Sequence, residues 1–166
     1  MPSTYEPIAT QTLGSAAASI TFSSIASSWT DLRVVWTGTS TIDIVSMRLR
    51  FNGDSASNYS NTILFGDGST AYSGRNTNRP QIDLPPIGGV STTVPTFITV
   101  DVFSYAGSTF KTVLATGSDD RNGSGYASRD VGLWRSTSAI TEFALSLSSG
   151  NFAIGSTATL YGIKNA

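Results

Sequence analysis

The sequence predicts an all-β fold, a single antiparallel β-sandwich. Three observations predict it. Apolar and polar residues alternate over several short segments, the period of a half-buried strand. Helical periodicity is nearly absent: residues 14–18, Gly-Ser-Ala-Ala-Ala, are the best candidate and are too short to stand alone. Clusters of Gly, Asn, Asp and Ser separate the segments, as turns do. Many short strands bury their apolar faces by closing two sheets over one core, and a jelly roll is the expected topology.

Taken in order, residues 5–9 can form an edge strand. Residues 18–25 place Ile20 and Phe22 on one face and Thr21 and Ser23 on the other. Residues 31–37 direct Leu32, Val34 and Trp36 inward and Arg33 outward. Val45, Met47, Leu49 and Phe51 share a face opposite Arg48 and Arg50. Asn52-Gly53-Asp54 then reverses the chain, because Asn and Gly tolerate the positive φ of tight turns. Residues 62–65 are a short apolar run. Residues 96–104, 109–115, 131–134 and 141–147 repeat the alternation, and 156–163 close the series. The total is about eight to ten strands. The final strand is expected to stitch the C-terminus into a sheet.

Two segments break this rhythm. Residues 66–95 contain Gly66, Gly68, Gly74, Arg75, Arg79, Pro80, Pro85, Pro86, Gly88 and Gly89, and read as a long irregular connection. Such connections inside a compact domain tend to be functional. Residues 118–129 read as a shorter polar loop with Asp119, Asp120, Arg121 and Asn122. With no internal repeat, the expected organisation is an N-terminal arm, 1–13, and one sandwich domain, 14–166.

Composition narrows the chemistry. At 166 residues the chain can bury one core without disulfide or metal. It has neither Cys nor His, which removes Ser-His-Asp and Cys-His nucleophiles and the usual zinc sites. No Gly-x-Ser-x-Gly elbow occurs, so neither an enzyme nor a cofactor is expected. A net charge of −1, with charged residues at 13%, does not suit nucleic acid. Lys111 and Lys164 are the two lysines, and every other cation is an arginine. Ser and Thr together make 48 of the 166 residues, so the surface must be hydroxyl-rich rather than charged. The first residues lack the basic and apolar regions of a signal peptide. No apolar run approaches the ~20 residues of a membrane helix.

Three groups of side chains are candidates for function. Asp119 and Asp120 are adjacent, and Asp54 and Asp67 lie in turns. Paired acids can hydrolyse glycosides or bind Ca²⁺, although capping turns is their ordinary role at such positions. The aromatics Trp29, Tyr59, Tyr72 and Tyr126 fall in or beside loops, where rings near Asp could hold a sugar or pack at an interface. Trp36 and Trp134 are expected in the core. Arg33, Arg48 and Arg50 read as a solvated face. Arg75, Arg79, Arg121, Arg129 and Arg135 sit in or near the irregular segments and suit contact with a partner protein. Asn58-Tyr59-Ser60 and Asn122-Gly123-Ser124 match a glycosylation pattern that means little without a secretory signal.

Several segments together carry a resemblance. They are Tyr5-Glu6-Pro7-Ile8-Ala9, then Ser19-Ile20-Thr21-Phe22-Ser23-Ser24-Ile25, then Trp29-Thr30-Asp31-Leu32. Phe51-Asn52-Gly53-Asp54, Ser57-Asn58-Tyr59-Ser60, Gly132-Leu133-Trp134 and the terminal strand follow. This order resembles small β-sandwich virion proteins of tailed phages, cyanobacterial and marine ones included, described as head decoration, cement, knob or tail-fibre proteins. The resemblance implies a structural protein located in the virion and assembled in the host cytoplasm, with neither nucleic acid nor membrane as partner. The expected role is a capsid cement protein, a homotrimer on the outside of the head that stabilises contacts between major capsid subunits. Tyr5 and Ile8 of the arm, Arg75 and Arg79 of the long connection, and Arg121 are the expected contacts. The alternative is a receptor-binding or fibre-tip protein that holds host glycan with Trp29, Tyr59, Tyr72, Tyr126, Asp119 and Asp120.

Overall fold

A computed structural model describes residues 5–84 and 89–164. These form twelve strands and no helix, numbered here along the chain. Eight make one antiparallel sheet, in the order β1 (Tyr5–Thr12), β12 (Thr157–Ile163), β3 (Asp31–Gly38), β8 (Thr96–Phe103), β9 (Lys111–Asp120), β10 (Gly125–Trp134), β5 (Tyr59–Gly66) and β6 (Ala71–Arg79). The other four make a smaller sheet in the order β2 (Ser19–Phe22), β11 (Phe143–Leu147), β4 (Met47–Phe51) and β7 (Ile82–Leu84). The two pack as a sandwich. A jelly roll divides its strands evenly between two sheets, and an eight-plus-four division does not by itself make one.

Period-two alternation drives the packing. Leu32, Val34 and Trp36 of β3 and Ile98, Val100 and Val102 of β8 are buried on the inner face. Ile20, Phe22, Met47, Leu49, Phe51, Phe143 and Leu145 of the small sheet share one core with them. Each such side chain contributes about 1.5–3 kcal/mol when fully removed from water. One end of the core is aromatic: the Phe51 ring lies 5.5 Å from both Trp134 and Phe143, centroid to centroid. The Trp134 indole N–H donates to Asp54 Oδ2 at 2.7 Å, which ties the β4–β5 turn to the large sheet.

Several expectations need correction. The segment 66–95 is not a featureless connection, because β6 and β7 run through it. Pro85, Pro86 and Gly88 lie outside the described residues. The stretch 118–129 is the tip and flanks of the β9–β10 hairpin rather than a loop. The absence of helical periodicity holds: residues 14–18 form bends and a bridge from Ala17 to Phe152. Most of the segment expected as an arm is β1, hydrogen-bonded along β12. Met1 and the three residues after it lie outside the described residues, as do Asn165 and Ala166. Arg48 and Arg50 are half-buried rather than freely solvated: Arg48 Nε sits 3.7 Å from Asp83, and Arg50 donates to Pro80 O and Gln81 Oε1.

β12 is an interior strand, pairing β1 on one side and β3 on the other. Of the four sheet edges, three are blunted. β1 carries Pro7 and a bulge between Pro7 and Ala9, while β2 and β7 have four and three residues. β6 is a nine-residue edge with most residues exposed.

Candidate functional site

Two surfaces could meet a partner. The first is the outer face of the eight-stranded sheet. Register places Leu114 opposite Val131, with Leu133 two residues along β10 and Leu64 on the adjoining β5. Leu64 is 58% exposed and Val131 49%. Phe97 and Phe103 project from the same face of β8 and are also exposed. A groove of about 520 Å³ crosses this face, lined by Arg33, Asp101, Phe103, Leu114, Arg129 and Ile163. In its floor Arg33 grips Asp101 with two parallel bonds of 2.5 and 2.9 Å, a fork geometry that neutralises both groups. Around it the face is hydroxyl-rich: Thr10 meets Thr159, and Thr12 meets Thr157, at 3.0 Å between hydroxyls.

The second surface is an open cleft of about 720 Å³ at one end of the sandwich. Ala127 pairs with Gly66, so the β5–β6 and β9–β10 turns lie side by side there. Asp67, Ser69, Asp119, Asp120, Gly123 and Tyr126 are among its lining residues. Asp67 caps its own turn, accepting from Ser69 N, Ser69 Oγ and Thr70 N. Those donors, Thr70 first, hold its carboxyl below the usual range. Asp120 caps the next turn by accepting from Asn122 N at 2.8 Å.

Asp119 and Asp120 do not face one another. Asp119 is buried on the inner side, and Asp120 projects to solvent. Asp119 Oδ2 accepts from Arg121 Nη2 at 2.7 Å and from Thr96 Oγ1 at 3.1 Å. The same guanidinium donates to Gly89 O. Arg121 is therefore an internal latch rather than the exposed contact expected. Tyr126 is buried; desolvation pushes its phenol well up, the Asp119 carboxylate adds to this, and Arg121 opposes it.

The other expected residues are scattered. Tyr59 is 0% exposed and belongs to the core, its hydroxyl donating to Phe51 O and Asp54 O, so it cannot touch a sugar. Trp29 lies at the opposite end from the cleft, against Gly162 and under the Lys164 ammonium at 4.6 Å. Tyr72 is half-exposed but packs on Phe65, with centroids 5.0 Å apart. Of the six glycan candidates, only Tyr126, Asp119 and Asp120 meet at the cleft. Among the protein contacts, Tyr5 is exposed, stacks on Tyr161 at 4.6 Å and lies under Arg33. Ile8 is exposed on edge strand β1, Arg75 points out from β6, and Arg79 pairs with Asp83 at 3.2 Å.

Sequence reasoning passed over Leu64, Phe97, Phe103 and Val131. The signal for the phenylalanines was parity: both occupy the alternate positions to Ile98, Val100 and Val102, and so must face outward. It also passed over Asp130, 1% exposed on the inner face of β10, between Ala115 of β9 and Ile63 of β5. Neither oxygen of Asp130 has a hydrogen-bond partner among the described residues, and burial pushes its carboxyl up to about 7.

No family model matches this chain, and no curated protein is detectably similar to it.

Proposed function

We propose that this chain is a non-catalytic building block of a phage particle, a capsid cement protein that docks through the outer face of its large sheet. The observation that carries the reading is that face. It is broad and grooved, its Arg33 and Asp101 neutralise one another, Arg75 and Arg129 are exposed on it, and it leaves Leu64, Phe97, Phe103 and Val131 in water. Val131 sits beside Leu114 in register, while Leu64, Phe97 and Phe103 are spread across the face. Exposed apolar side chains interleaved with arginines are characteristic of a surface that a partner covers. The phage setting rests on the resemblance of the turn and strand motifs, and a homotrimer remains part of the proposal. Tyr5 and Tyr161 would extend the same contact toward β1.

Leu64→Glu with Val131→Glu tests this. Both positions are exposed, so the double variant should keep its circular dichroism spectrum and lose occupancy on purified heads by on the order of tenfold or more. A folded double variant that decorates heads as well as the parent would end the proposal. The cleft beside Asp120 favours the second reading, a glycan-binding fibre tip. Binding of host lipopolysaccharide with no head occupancy decides for that reading.

A further inference from the structure

The chain carries two Asn-Gly dipeptides, Asn52-Gly53 and Asn122-Gly123, and one Asp-Gly, Asp67-Gly68. All three can in principle close a succinimide ring, because a glycine places no side chain in the way of its own nitrogen. The fold treats them differently. The Asn52 amide is clamped. Its Nδ2 donates to Ala139 O at 2.8 Å, and its Oδ1 accepts from Thr141 N, Thr141 Oγ1 and Glu142 N. Turning its Cγ toward Gly53 N would break all four bonds. Asp67 is held through Oδ1 by three donors.

Asn122 has none of this. It is exposed at the tip of the β9–β10 hairpin, and its side chain makes no hydrogen bond among the described residues. The Gly123 N–H donates to no described group, and a Cβ placed on Gly123 would meet nothing within 4 Å. Asn122 and Gly123 both hold positive φ, at 54° and 113°, in a reversal closed by Arg121 N donating to Ser124 O.

We propose that Asn122 deamidates spontaneously in the folded protein, while Asn52, with the same neighbour, is protected by its clamp. The Gly123 nitrogen loses its proton to solvent and attacks Asn122 Cγ. The new C–N bond closes the ring, and the side-chain nitrogen leaves as ammonia. Water then opens the succinimide. Cleavage at Cγ gives aspartate; cleavage at the main-chain carbonyl gives isoaspartate. The sum is one water consumed and one ammonia released. Either product adds a carboxylate to the rim of a cleft that already holds Asp67, Asp119 and Asp120. Isoaspartate also inserts a methylene into a two-residue turn, which forces the hairpin register to yield. The cleft thus becomes more acidic as the protein ages, whatever its partner.

Incubation at mildly alkaline pH, native and in denaturant, tests the proposal, with tryptic mapping of residues 122–129 and 51–75. In the native protein the first peptide should gain the mass of an amide-to-acid change at a rate close to that in denaturant, and should accept methyl groups from an isoaspartyl methyltransferase. Asn52 should convert in denaturant and be slowed on the order of tenfold or more in the native chain, since reaction must await local opening. An Asn122 that stays unmodified in the native protein while reacting in denaturant would overturn the proposal. So would an Asn52 that keeps pace with it natively.

Discussion

Asp130 is where a single residue most shapes the energetics. Its carboxyl lies between Ala115 and Ile63 with no hydrogen-bond partner among the described residues, so burial disfavours the charged form. Its folded value of about 7 stands above the ordinary 3.8. Between those values the folded chain keeps a proton that the unfolded chain releases. Stability therefore falls as pH rises from about 4 to about 7 and flattens above, by at most roughly 4 kcal/mol at 1.36 kcal/mol per unit. The polar side chains nearest in register on the inner face are Ser128 and Tyr126 of β10, Asn61 of β5, and Asp119 of β9 with its partner Arg121; Ser128 and Asn61 do not titrate. Tyr126 stays neutral throughout, and Asp119 is already paired with Arg121. Asp130→Asn should remove most of the slope and be the more stable protein at pH 8, read from urea midpoints across pH. Parallel midpoint profiles for parent and variant would refute this account.

At the scale of the element, close approach matters as much as alternation. Gly162 of β12 lets the Trp29 indole lie directly on the strand, and a Cβ there would collide with the ring. Gly162→Val should expel Trp29 into water. The expected result is a red-shifted tryptophan emission and a loss of about 1–3 kcal/mol; unchanged emission would count against the packing described. This contact shows where legibility ran out. Strands with one wet face, β3, β4 and β8, could be read from parity alone. β6 could not, because Ala71 to Arg79 is exposed on nearly every residue and has no apolar period to read. It exists through its ladder with β5. Tyr59 reads as a loop aromatic beside Asn58, yet it is buried against Phe51 and the distant Trp134. The inner position of Asp119 follows from the strand that carries it, and that strand extends past its last obvious apolar residue. Alternation reports the faces of strands; it does not report which ends meet.

For the whole molecule, sheet order sets which losses are tolerable. β1 is an edge, so removing residues 1–12 should leave a soluble sandwich with a lower melting temperature. β12 is interior, and truncating after Ser156 should strip both β1 and β3 of their partner. That variant should lose its cooperative thermal transition. A sharp transition equal to that of the β1 deletion would contradict the order given. The same placement has a consequence for biosynthesis. β3 is complete once residue 38 has been made, but its neighbour β12 begins at Thr157. While the ribosome works through the intervening chain, β8 can close one side of β3, but the sides of β1 and β3 that face β12 stay open. Chaperone dependence should therefore be governed by the interval before β12 emerges.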